Sequence, residues 1–164
     1  MTLDWLSAFT LSTPLAARWL ECLFALSAGI QTLEYLRMRP AMNQNGLWYW
    51  AIQRQDIPNA TAQKFFDFLF AENIFTALLW ARLLALISLV ALGANLGNVG
   101  FLFISNLAVL IRWRGAFNGG SDFMTLVVLT GLLISQLVGA LNNVELGWRA
   151  CFWYITIQSI TSYF

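Results

Sequence analysis

Long apolar runs separated by short polar breaks dominate this chain, and only one polar interval is extended. Five runs approach the roughly 20 residues a helix needs to cross a bilayer; they cover about 14–36, 74–92, 99–113, 122–141 and 147–164. Backbone groups in lipid must find partners within their own segment. The pattern therefore predicts an all-α, polytopic membrane helical bundle, with residues 1–164 forming a single integral membrane domain. Ser12 or Thr13 with Pro14 is a good helix start, "RMRP" a good stop, and "GANLGN" too short for anything but a tight hairpin.

The long polar interval, about 37–73, carries "NQNGLWYW", then "QDIPNATAQ", which reads as loop because Pro58 breaks any helix, then "TAQKFFDFLFAEN". The last stretch alternates aromatics with Lys64, Asp67 and Glu72. It predicts an interfacial amphipathic helix in the loop after the first span, feeding the second. At the N-terminus, Leu3, Trp5, Leu6 and Phe9 suit a short interfacial segment, and Asp4 with no basic residues does not read as a cleaved signal peptide.

Composition agrees with lipid as the solvent. The chain is 59% hydrophobic, 15% aromatic and 10% charged, whereas soluble domains are nearer a quarter charged. A net charge of +1 gives no electrostatic case for nucleic acid. The absence of histidine removes the usual ligand for haem, chlorophyll and many metals, and with it any Ser-His or Cys-His catalysis. No cofactor or metal is expected; a bound lipid or quinone is the remaining small-molecule candidate. Cys22 and Cys151 read as buried apolar thiols at similar depth.

Basic residues set the orientation. Arg37, Arg39, Arg54, Lys64, Arg112 and Arg114 fall in the loops after the first and third spans, against Arg18 and Arg149 on the opposite face. The positive-inside rule then puts the N-terminus outside and the basic loops and C-terminus in the cytoplasm, in a bacterial cytoplasmic membrane.

Charges inside spans are costly and usually face a partner. Glu21, Glu34 and Arg82 are three such residues. Arg82 can pair with Glu34, or with Glu21, across the first two spans. The alternative is that Arg82 snorkels to the cytoplasmic interface while Glu21 pairs with Arg18 one turn away. Asn106, Gln136 and Gln158 read as interhelical glue, and Ala25, Gly29, Gly131, Ser135 and Gly139 as close helix contacts.

The stretch "IRWRGAFNGGSDFM" holds the candidate partner or anion contact: Arg112, Arg114, Asn118, Gly119, Gly120, Ser121 and Asp122. As a turn it is well formed. Arginines suit a helix C-terminus, glycines allow reversal, Ser121 can cap the next helix and Asp122 complements its dipole. Arginines beside exposed N–H groups at a helix start can also hold an anion.

"RWRGAFNGGSDFMTLVVLTGLL" together with the closing "FWYITIQSITSYF" resembles the horizontally transferred transmembrane (HTTM) family, which is related to the vitamin K-dependent gamma-carboxylases. The resemblance covers about the second half of the chain. It implies a multi-helix membrane domain with an arginine-rich loop, and a membrane enzyme acting on a quinone or peptide. In the carboxylase relatives the "YF" segment is followed closely by the lysine held to be the catalytic base. Here Tyr163-Phe164 close the sequence, so the expectation is a relative without that centre and with no catalytic residue to name.

Three function classes follow. The leading expectation is a non-enzymatic accessory or scaffold subunit of a larger membrane complex, contacting lipids and other membrane protein subunits. The HTTM-like enzyme is the second. A small transporter is the third, ranked last because few polar residues mark a path and no inverted repeat is visible.

Overall fold

The computed structural model describes residues 12–42, 46, 49–113 and 119–162. Every regular element among them is helical. Five long helices make the body: α1 (Thr13–Arg37), α4 (Glu72–Leu92), α5 (Leu96–Trp113), α6 (Gly119–Leu141) and α7 (Val144–Thr161). Between α1 and α4 lie a 3-10 turn (Arg39–Met42), the short α2 (Trp50–Gln53), a second 3-10 turn (Arg54–Asp56) and α3 (Ala60–Leu69). Each expected apolar run is thus helical over its described residues, with ends no more than three residues from the expected limits. Three of the helices are long and apolar enough to cross a membrane: α4, α5 and α6 over Asp122–Leu141. The N-terminal stretch around Trp5, Arg114, Asn118 and Tyr163-Phe164 lie outside the described residues, as do the side chains at 119–121.

Local chemistry sets the element ends. α1 carries Pro14 in its first turn, where the missing N–H costs nothing, and stops just before Arg39-Pro40. Asn59, expected only as loop, caps α3 by accepting from the N–H groups of Thr61 (2.8 Å) and Ala62 (3.2 Å). α4 ends at Gly93, where φ is +84° and a side chain would be strained. Asn95 and Asn143 accept from the N–H groups of Asn98 (3.0 Å) and Leu146 (2.7 Å), starting α5 and α7.

The α4–α5 turn is stapled by α1. Arg18 pairs with Glu21 and donates to the Val90 carbonyl at 2.5 Å, one of the α4 C-terminal carbonyls that a cation suits. Glu21 also accepts from the Ala94 N–H at 2.9 Å. Glu21 is therefore satisfied at this end of the bundle and does not reach Arg82.

Neighbouring long helices pack in sequence, and α1 lies against α4 with further contacts to α6 and α7. Among the described helices, the most extensive contact is the α6–α7 hairpin. A Cβ at Gly147 would stand 2.3 Å from the Ser135 carbonyl oxygen and 2.8 Å from the Gly139 nitrogen; one at Gly131 would stand 2.9 Å from Ile155. The expected small-residue contacts on α6 are thus present: Gly147 is the partner of Ser135 and Gly139, while Gly131 meets Ile155 and Cys151. Gly29 differs from expectation: no atom lies within 4 Å of a Cβ there, because Ala25 and Ala28 carry the buried face of α1 instead. Cys22 and Cys151 are both free thiols, Cys151 being buried in the α6–α7 seam.

Candidate functional site

Two apolar clusters fill the bundle. One joins Phe24, Ala28, Leu86, Leu89, Val99, Leu102, Leu132 and Trp148; the other joins Tyr35, Phe70, Phe75, Leu79, Val109 and Trp113. A polar layer separates them. On α1 it is Thr32, between Ala28 and Tyr35; on α4, Arg82, between Leu79 and Leu86; on α5, Ser105 and Asn106, between Leu102 and Val109. Each lies about one helical turn from the apolar residues either side, so all face the same axis.

Arg82 is fully buried, at 0% exposure. Its Nε donates to Thr32 Oγ1 (3.1 Å), Nη1 to Ser105 Oγ (3.2 Å) and the Leu102 carbonyl (3.5 Å), and Nη2 to Asn106 Oδ1 (2.9 Å). Both hydroxyls already give their hydrogens to backbone carbonyls, Thr32 to Ala28 at 2.6 Å and Ser105 to Leu102 at 2.9 Å. Their lone pairs are thereby left to the guanidinium. The fork spans three helices with neutral acceptors. This corrects the sequence expectation: Arg82 neither pairs with Glu34 or Glu21 nor snorkels. Glu34 is exposed on α1, and Glu21 pairs with Arg18. The expected glue role of Asn106 is present, whereas Gln136 bonds Ser135 on its own helix.

Asp122 supplies the next tie. It lies in the first turn of α6, as the dipole argument expects, but is buried rather than presented at a mouth. Its Oδ1 accepts from the Gln31 amide and, at 3.1 Å, from the Tyr35 hydroxyl. It is within electrostatic reach of Arg82 without touching it. Tyr35 stacks on Trp113 at 5.2 Å, which joins this tie to the end of α5. Because α6 starts at Gly119, Ser121 falls inside the first turn and is not the cap. Thr32, Gln31 and Tyr35 were not singled out from sequence; their spacing of one to four residues along one side of α1 was the available signal.

Arg112 leads outward from this interior. It donates to Gln53 Oε1 at 2.7 Å, and its guanidinium carbon lies 5.9 Å from the Trp50 ring. The connecting segment is folded back over the bundle end. Trp50 packs on Phe66 and Phe70, and its Nε1 donates to Asp67 Oδ1 at 2.7 Å. Arg54 pairs with the other Asp67 oxygen at 2.9 Å. A cleft of about 360 Å³ opens there, lined by Arg39, Arg54 and Arg112, by Asp67 and Glu72, and by Tyr49, Trp50, Phe70 and Phe75.

The structure therefore divides the expected contact set: Arg112 lines the cleft, while Asp122 is internal. No family model, curated protein or solved structure matches this chain.

Asp67 is the residue on which the folded-back segment converges. Replacing it with alanine is expected to speed limited proteolysis of residues 39–70 several-fold while leaving thermal unfolding of the long-helix bundle nearly unchanged, because local openings are governed by local contacts. An unaltered cleavage rate would show that the segment is held by other contacts.

Proposed function

We propose that the chain is a non-enzymatic subunit of a larger membrane complex, with α1, α4, α5, α6 and α7 all crossing the bilayer. On this reading α3 lies in the interface, and the arginine-rich end faces the cytoplasm of a bacterial inner membrane. The observation that carries it is the division of labour among side chains. Polar groups inside the bundle bond helix to helix, whereas outward faces carry large apolar side chains.

On α1, Trp19, Leu23, Leu26, Ile30 and Leu33 are exposed at alternating spacings of four and three, a continuous apolar stripe. Trp153, Ile157 and Ile160 do the same on α7. These stripes support a spanning role for the two helices whose average composition is more polar. The charges of α1 sit near its ends, as Arg18 with Glu21 and as Glu34 with Arg37. Phe65 and Phe68, exposed on α3, suit an interfacial position. Such extensive apolar surface exceeds what lone soluble chains present, and eight tryptophans suit lipid interfaces and subunit contacts.

Native purification in mild detergent tests the proposal. The expected result is an assembly well above the 18.5 kDa of the chain, with a second membrane protein in fixed stoichiometry. A chain that migrates alone would overturn it.

A second reading, an HTTM-like enzyme acting on a quinone or peptide, draws support from the position of Arg112 in an aromatic cleft. It requires that Arg112→Ala abolish a quinone-dependent or peptide-dependent reaction without loss of the folded bundle.

A further inference from the structure

Among the described residues, the cleft beside Arg112 holds one arginine, Arg39, whose charge no carboxylate of the cleft answers. Three arginines line it against Asp67 and Glu72. Asp67 is committed to Arg54 and Trp50. Glu72 is exposed, in the first turn of α4, where the helix dipole already favours a negative charge. Arg39 is different. It sits on the 3-10 turn after α1, its Nε is buried with no hydrogen-bond partner, and among the described residues no carboxylate pairs with it. Arg39 as a whole is only half-buried, and the planar fork of guanidinium donors fits phosphate oxygens well.

The opposite wall is aromatic. Trp50, held by Asp67, and Tyr49 face the same space, and the Arg112 guanidinium lies over the Trp50 ring. A volume of about 360 Å³ lies at the small end of ligand sites. It suits a compact charged group with a short organic attachment rather than a whole lipid. We propose that this cleft binds a phosphate ester, with Arg39 and Arg112 as the anion-holding residues and Trp50 as the flat wall beside the ester carbon. Two sources share that chemistry: the headgroup of an anionic phospholipid in the adjacent leaflet, and a free phosphate compound. The choice of a lipid source rests on the membrane reading above; the site itself does not.

The test uses the full chain purified in a neutral detergent. Its thermal unfolding is followed while phosphatidylglycerol, phosphatidylcholine or inorganic phosphate is added. Phosphatidylglycerol is expected to raise the unfolding temperature in a saturable way, and phosphatidylcholine is not. A parallel rise with inorganic phosphate assigns a free phosphate compound as sufficient; a rise with phosphatidylglycerol alone assigns the headgroup. Arg39→Gln is expected to raise the half-saturating concentration about tenfold, as loss of a charge-assisted contact would. Arg37→Gln, at an exposed position outside the cleft, is expected to leave it unchanged. Arg39 has no carboxylate partner among the described residues, so its replacement is expected to leave the fold intact, which the ligand-free unfolding temperature checks. No response to either phosphate source, or an equal response in Arg39→Gln and the parent, overturns the proposal. Because the chain is tested without partners, that failure is separable from failure of the subunit reading.

Discussion

Gly147→Ala is expected to destabilise the bundle by about 3 kcal/mol, the upper end for overpacking, and to lower the unfolding temperature in detergent accordingly. The added Cβ would stand 2.3 Å from the Ser135 carbonyl oxygen and 3.0 Å from the Gly139 Cα, both backbone atoms that no rotamer change can move aside. Helix propensity acts in the opposite sense, since alanine is favoured over glycine in a helix by about 0.5–1 kcal/mol. The clash is the larger effect because α6 and α7 pack backbone against backbone at this point. Gly100→Ala provides the calibration. Nothing lies within 4 Å of a Cβ there, so propensity alone acts and the variant is expected to be slightly more stable. Equal unfolding temperatures for Gly147→Ala and the parent would show that the hairpin is not packed as described.

Arg82→Ala is the second large effect, with an expected loss of about 3 kcal/mol. It empties the centre of the polar layer and strands Asn106, whose Nδ2 is already buried without a partner. It also removes a fully buried cation from the electrostatic reach of Asp122. Arg82→Lys keeps the charge but replaces a planar fork by a single ammonium, which cannot reach Thr32 on α1 and Asn106 on α5 together. It is expected to recover only part of the loss. Arg82→Met, which fills the volume without a charge, is expected to cost less than alanine, since apolar replacement of a buried charge is often tolerated. Thermal unfolding of the three variants in one detergent gives the order; an unchanged temperature for Arg82→Ala would remove Arg82 as the node joining α1, α4 and α5.

Much of the helical architecture was legible because lipid imposes a length and a composition on a spanning helix, and breaks such as "GANLGN" and Arg39-Pro40 are unambiguous. Local caps were less so. Asn59 read as loop because nothing before α3 marks its first turn except the side chain itself. The partner of Arg82 was out of reach for a different reason. Depth arithmetic along two helices brings Glu34 and Glu21 within a turn or two of it, but it carries no information on which face each helix turns inward. Thr32, on the buried face of α1, excludes the exposed Glu34, and the α4–α5 turn draws Glu21 to the other end through Ala94. Asp122 was legible as a helix-start residue, yet its burial depends on Gln31 and Tyr35, about 90 residues earlier in the chain. The arginine cleft was the least legible feature, because it is assembled from Arg39, Trp50, Arg54 and Arg112 by a segment whose path no periodicity sets.

The central claim is a five-helix membrane bundle with its basic end in the cytoplasm, and membrane-impermeant thiol labelling tests it most directly. Single cysteines are placed at Gln55, exposed between α2 and α3, and at Asn95 and Asn142, exposed in the α4–α5 and α6–α7 turns. In sealed right-side-out vesicles the account predicts labelling at Asn95→Cys and Asn142→Cys, and labelling at Gln55→Cys only after the membrane is opened. Labelling of all three sites from the same side would contradict it.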